Sequence, residues 1–235
     1  MKKSKKVLAI MLAASLTFTL SNFSVYAKAN DNSSVIAQDQ QMLNQHKGQL
    51  DKLYNSFSPE NTKVIRDYKD KKGVQYFKTS NLSKSSTSFG EYPTRTGVIL
   101  VTKGQSILGA HVGHAGIVLT ASTTVESENV GGVQRLPNTW KSRYSTVKGI
   151  TVKGTTDTQD EQAAQWCDKQ VGKPYNWDFF NINTRDRFYC SQLVWASYKD
   201  LYGIDIDSKK TIDHVILPLD LPNQDNVDTI YAQWQ

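Results

Sequence analysis

The chain has 235 residues, of which 38% are apolar and 21% charged, with 14 glycines and 6 prolines. This profile excludes collagen-like, low-complexity and polytopic membrane chains, and the length suits one or two domains with a real core. The formal charge is +6, but Lys2, Lys3, Lys5 and Lys6 carry four of those charges; the remaining +2 gives no case for a nucleic-acid partner.

Residues 1–27 contain no Asp or Glu and read as a secretory signal peptide. MKKSKK is the positive start, and VLAIMLAASLTFTL is an apolar run too short to span a bilayer comfortably. SNFSVYA places the cleavage site after Ala27. No later segment has the length and apolarity of a membrane span, so the expectation is an exported, soluble chain without stable membrane insertion. Free release, with cell-wall association, is the expected location.

Residues 28–57 read as one helix, with Val35, Met42, Leu43, Leu50, Leu53 and Tyr54 at helical spacing and His46 on its solvated side. VIRDY and VQYF, within residues 58–78, fit either a short helix or a strand. TSNLSKSSTSFGEYPT is a Ser-rich connector. The expected organisation is a helical extension and linker over 28–92, then a second domain over 93–235.

From residue 93 the texture changes to short strands: TGVILVT, HAGIVLTAS, TTVESE, GVQRLP and TVKGITVKG. TQDEQAAQWCDKQVG is a helix. Thr158 or Asp160 is its expected cap, Ala163, Ala164, Cys167 and Val171 its buried stripe, and Gly172 with Pro174 its stop. A second helix runs from Cys190 to about Tyr202 and stops at Gly203. VILPLDL and VDTIYAQW close the chain as short strands or loops. Strands precede the two helices, which predicts an α+β fold with a mostly antiparallel sheet.

Cys167 and Cys190 are the two cysteines. In an exported chain the default is one disulfide, although both lie in helical contexts that argue against it. The cysteines and the four histidines form no zinc-ligand pattern. Cys190 would occupy the first turn of its helix, where free N–H groups and the dipole favour a thiolate; equally, it shares a face with Val194, Ser197 and Leu201 and could be core. His114 opens a strand between Gly113 and Gly116, and glycine beside a strand histidine leaves room for another group to approach the ring. His111 competes with it from the preceding loop. In TTVESE, Glu126 and Glu128 share a face, and a carboxylate there could orient the imidazole. Glu126 is deeper in the strand and ranks first.

The succession GHAGIV, TVES with GVQRLP, AAQWCDKQVGKPYNW, FYCSQLVWASY and ILPLDL resembles the circularly permuted papain-like cysteine hydrolases, the YiiX-like branch of the NlpC superfamily. The resemblance covers roughly residues 93–222. In that branch the histidine strand precedes the cysteine helix, as here. It implies an NlpC-like fold, with Cys190 as nucleophile, His114 as general base and Glu126 as the orienting acid. It also places Tyr175 of KPYNW at the cleft, touching substrate or packing beneath it. The expected chemistry is hydrolysis of a peptide or acyl substrate without metal or organic cofactor, with peptidoglycan stem peptides as the leading candidate. A lipid acyl hydrolase or acyltransferase and a non-catalytic binding module are the alternatives. Two positions depart from the family pattern: Gly97-Val98-Ile99 replaces Gly-Asp-Ile, and Gln192 stands where a Glu usually follows Cys-Ser.

Overall fold

A computed structural model describes residues 33–64 and 88–235. The expected signal peptide, VQYF and all of VIRDY but Val64 within the helix-or-strand segment 58–78, and much of the Ser-rich connector lie outside the described residues. Among the described residues no helix is long and apolar enough to cross a membrane.

A seven-stranded sheet organises the fold. Its strands are β1 (Ser88–Phe89), β2 (Ile99–Thr102), β3 (His114–Thr120), β4 (Thr123–Glu128), β5 (Gly132–Pro137), β6 (Thr146–Val152) and β7 (Val227–Trp234). The spatial order is β1-β7-β6-β2-β3-β4-β5, and every neighbouring pair is antiparallel. Alternation sets which side chain faces which layer. Ile99 and Val101 of β2 and Ile117 of β3 join the larger core with the helices, whereas Val98, Leu100 and Val118 join a second cluster around Trp140. With both faces covered, β2 and β6 are buried along their whole length.

Among the described residues five α-helices complete the layers: α1 (residues 33–45), α2 (Lys47–Ser56), α3 (Trp140–Arg143), α4 (Asp157–Asp168) and α5 (Cys190–Tyr202). Helix α5 carries the expected run of apolar side chains, with Leu193, Val194, Ala196 and Tyr198 fully enclosed. It ends as expected at Gly203, whose φ of 69° is the left-handed cap that glycine adopts without strain. The start of α4 differs from expectation. Thr156 is the cap: its hydroxyl accepts the Gln159 N–H at 3.2 Å and Gln159 Oε1 accepts the Thr156 N–H at 2.9 Å. Asp160 is instead buried, accepting from Arg95 at 2.7 Å and from the Tyr198 hydroxyl at 3.1 Å. The helix stops at Asp168, so Val171 lies past its buried stripe and is exposed.

The single N-terminal helix expected from the spacing is broken at His46. Its Nδ1–H donates to the Met42 carbonyl at 2.9 Å, so His46 is locally engaged rather than merely solvated. Met42, Leu43, Leu50, Leu53 and Phe57 all enter the larger core. The buried Asp39 carboxylate accepts the Phe179 N–H at 3.3 Å, tying α1 to the loop before α5. At the end of the chain, VILPLDL becomes the 3₁₀ helix Pro218–Asn223, and VDTIYAQW is a full strand between β1 and β6.

Lys148 of β6 is 3% exposed, and its ammonium lies 4.2 Å from the centre of the Phe57 ring. Burial first, and then the charge of Lys103, bring its pKa down to about 7 from 10.5. Between those two values the unfolded chain binds more protons than the folded one, so stability rises with pH across that window. Lys148→Met is therefore expected to stabilise the fold by about 1–3 kcal/mol below pH ~7, with the gain shrinking towards pH ~10. Urea midpoints across that range check this; a variant no more stable than wild type in the acidic range would contradict it.

Candidate active site

His114 is the first residue of β3, and Glu126 lies within β4 on the neighbouring strand. The register pairs Gly116 with Glu126, which puts both Glu126 and Glu128 on the face that carries His114. A Cβ on Gly116 would stand 2.7 Å from Glu126 Cγ and 3.0 Å from Trp140 Cζ2. The glycine beside the histidine thus makes room for the acid and the indole to reach the ring. His114 Nε2 lies 2.9 Å from Glu126 Oε2 and 3.3 Å from Glu128 Oε1.

Cys190 is the first residue of α5, where the amide groups of the opening turn have no intrahelical acceptor. Its sulfur stands beside the His114 imidazole, near enough for its charge to act on the ring. Because Nε2 faces Glu126, Nδ1 is the ring nitrogen left for the sulfur. Burial by itself would lower the His114 pKa. The neighbouring Cys190, and then Glu126, outweigh it and push the value up to about 10. Burial would raise Glu126, but His114, Arg143 and Thr124 together hold it down at about 2.

Two residues that the sequence left unmarked complete this arrangement. The Trp140 indole N–H donates to Glu126 Oε1 at 2.8 Å, and its ring stacks on His114 with centroids 5.4 Å apart. Arg143 Nη2 lies 2.7 Å from both carboxylate oxygens. Both come from α3, a four-residue helix too short to leave a periodic signal.

The ligand atoms of His114, Glu126 and Glu128 lie within 4.8 Å of one another, which is close enough to consider a metal ion. The donor set does not fit one. Both Glu126 oxygens already accept from Arg143, and Oε1 also accepts from Trp140 and Thr124. A cation would have to displace a guanidinium from the same carboxylate. The arrangement is an acid–imidazole–thiol chain, suited to moving a proton between sulfur and a bound group.

Cys190 and Tyr175 line the same open cleft, together with Glu128. Tyr175 packs edge-on against Trp177, with ring centres 4.9 Å apart. His111 is not brought to the site; it is exposed, bonded to Ser106 at 2.8 Å and tilted against Tyr54 with ring centres 4.9 Å apart. Cys167 and Cys190 are both free thiols, so the disulfide is not formed. Cys167 is sealed in the core, donates to the Leu193 carbonyl, and is pushed by burial up to about 12. Gln192 works structurally: its Oε1 accepts from the Tyr189 N–H at 3.2 Å and from Asn176 at 3.0 Å, fixing the entry into α5.

Residues 96–228 match the model of a family described as permuted papain-like amidase enzymes, YaeF/YiiX, C92 family. The uncharacterized protein YycO of Bacillus subtilis (strain 168) is 29% identical over 168 residues, which is 67% of this chain and 65% of YycO. The chain thus spans slightly less than two thirds of that relative's length. A crystal structure of the metalloprotein YiiX from Escherichia coli O157:H7 aligns at 20% identity and a TM-score of 0.48, covering 60% of this chain and 99% of that one. Histidine strand before cysteine helix, antiparallel sheet and a family match over more than half the residues converge: the chain belongs to the permuted papain-like amidases of the YaeF/YiiX, C92 family.

Proposed function

We propose that this protein is an exported cysteine amidase in which Cys190, His114 and Glu126 carry the reaction. The observation that supports this reading best is the Cys190 sulfur beside the His114 ring, whose Nε2 lies 2.9 Å from the Glu126 carboxylate. His114 holds the proton given up by the Cys190 thiol, and the thiolate attacks the amide carbonyl carbon, forming the C–S bond. The oxygen that gains negative charge lies against the free N–H groups at the start of α5. His114 then gives its proton to the leaving nitrogen as the C–N bond breaks, which leaves a thioester and a free amine. Water attacks the thioester with His114 as base, releasing the acid and restoring the thiol. Glu126, held by Trp140 and Arg143, keeps the ring in the orientation that presents Nδ1 to sulfur.

Export rests on MKKSKK and the apolar run that follows it. For an exported amidase, cell-wall stem peptides are the first substrates to test. Purified wall fragments incubated with the protein are expected to yield products that have each gained one water across an amide, as read by mass spectrometry. Cys190→Ser is expected to lower that rate by at least ~10⁴-fold. Equal hydrolysis by the variant would defeat the reading; no hydrolysis of any amide, with an unreactive Cys190, would favour a binding module.

A further inference from the structure

A second concavity shares no lining residue with the cleft beside Cys190. It is a recess of about 490 Å³, formed where residues 61–64, β6, β7 and the end of the 3₁₀ helix meet. A parallel backbone bridge between Val64 and Thr229 sets the 61–64 stretch beside β7 and fixes one wall. Lys148 is the unusual member of the lining. Alternation along β6 sends Val147 into the cluster around Trp140 and turns Lys148 to the opposite face, against Phe57. That position suits an apolar side chain, yet it carries an ammonium on a residue only 3% exposed.

The charges around it leave Lys148 uncompensated. The two acids that line the recess are already engaged: Asp228 Oδ1 lies 3.2 Å from Lys153 Nζ, and Asp225 Oδ1 accepts from Lys209 Nζ. Among the described residues no carboxylate pairs with Lys148, nor with Lys63 at the exposed edge of the recess. Burial and then the like charge of Lys103 hold the Lys148 pKa down at about 7. A buried cation without a counter-charge destabilises the fold, and the gain expected for Lys148→Met measures that burden. The recess has space for an anion that would supply the missing charge. Asn61 and Thr229 line it as well, with an amide and a hydroxyl able to donate.

We propose that this recess binds a phosphate group, free or as a monoester, with Lys148 and Lys63 as its cationic contacts. Two ammoniums without partners call for two negative charges, which a phosphate monoester approaches at neutrality and a single carboxylate does not. Hydrogen bonds from an ammonium to phosphate are of the stronger, charge-assisted kind. The recess is larger than a bare phosphate ion, so an esterified remainder fits beside the head group. The assignment is independent of the reaction proposed for Cys190.

Titration calorimetry of the full chain at pH ~7 tests it, with inorganic phosphate, glycerol 3-phosphate and acetate as probes and sodium chloride holding the ionic strength constant. One phosphate is expected to bind per chain, and acetate at least ~10-fold more weakly. Glycerol 3-phosphate binding more tightly than inorganic phosphate assigns the site to an ester; the reverse order assigns it to the free ion. Lys148→Met is expected to weaken phosphate binding by about 10–100-fold, the size of a hydrogen bond to a charged group. Its urea midpoint without phosphate, expected at or above that of wild type, shows that the loss is not unfolding. Lys63→Met, which removes the exposed contact, is expected to weaken binding by less, up to roughly fivefold. No phosphate binding, or binding that Lys148→Met leaves unchanged, would overturn the proposal. Acetate bound as tightly as phosphate would overturn the assignment to phosphate.

Discussion

Glu126→Gln is expected to lower kcat/KM by about 10³–10⁴-fold, on the scale known for neutralising the orienting acid of a catalytic triad. Glu126 is fully buried and accepts from His114, Trp140, Arg143 and Thr124 at once. A glutamine has one accepting oxygen for these donors, and its NH₂ must face either Arg143 or the imidazole. Facing the ring, it demands that Nε2 accept, which moves the ring proton to Nδ1; the nitrogen that should take the thiol proton is then already protonated. The same change leaves Arg143 without a charged partner, so a loss of about 2–4 kcal/mol in stability is expected alongside. The pH dependence has a definite sign. The folded Glu126 pKa lies near 2, below the ordinary 4.5, so its stabilisation is present above about 4.5 and is lost as pH falls through 2. Wild type should therefore lose stability in that acid window, and the variant should lack this part of the loss. Glu128→Gln is the control. Glu128 is partly exposed and farther from Nε2, at 3.3 Å, and its replacement is expected to change turnover by less than about tenfold. The reverse ranking, read from steady-state rates and urea midpoints, would move the acid role to Glu128.

His114→Gln is expected to reduce turnover by at least ~10⁴-fold, because one ring serves as both base and acid. Its electrostatic role is separable from its proton-transfer role. With its pKa pushed up to about 10 by Cys190 and Glu126, the ring stays cationic through neutrality and stands opposite the sulfur. That pairing stabilises the fold below about 6.5, the ordinary imidazole value, and is lost as pH rises through 10. Wild type should thus lose stability between those limits, and His114→Gln should not show that loss. A variant that keeps wild-type turnover would show that the ring is structural.

Much of this arrangement was legible in the sequence, for identifiable reasons. TTVESE and GVQRLP became β4 and β5 with the expected ends, because the turns at residues 121–122 and 129–131 bound them. YCSQLVWASYKDLYG declared both ends of α5, since Gly203 is the residue that can adopt the left-handed cap. His114 was marked by its flanking glycines, and Gly116 is where Glu126 and Trp140 press closest. Trp140 and Arg143 were invisible because a single helical turn has no period, and their importance exists only once β4 and α3 meet. The role of α1 was hidden differently. Its apolar spacing was plain, but spacing names no partner, and the Asp39–Phe179 contact spans 140 positions of chain. The break at His46 follows from a side chain bonding back to Met42, a local competition that apolar periodicity does not register.

Iodoacetamide alkylation at about pH 5, followed by peptide mapping, tests the proposed pairing of sulfur and imidazole most directly, because a thiol without a cationic neighbour is nearly inert there. Wild type is expected to be modified at Cys190, at least ~10-fold faster than in His114→Gln, while the sealed Cys167 stays untouched. Equal rates at Cys190 in the two proteins, or a Cys190 that does not react in the native protein, would contradict it.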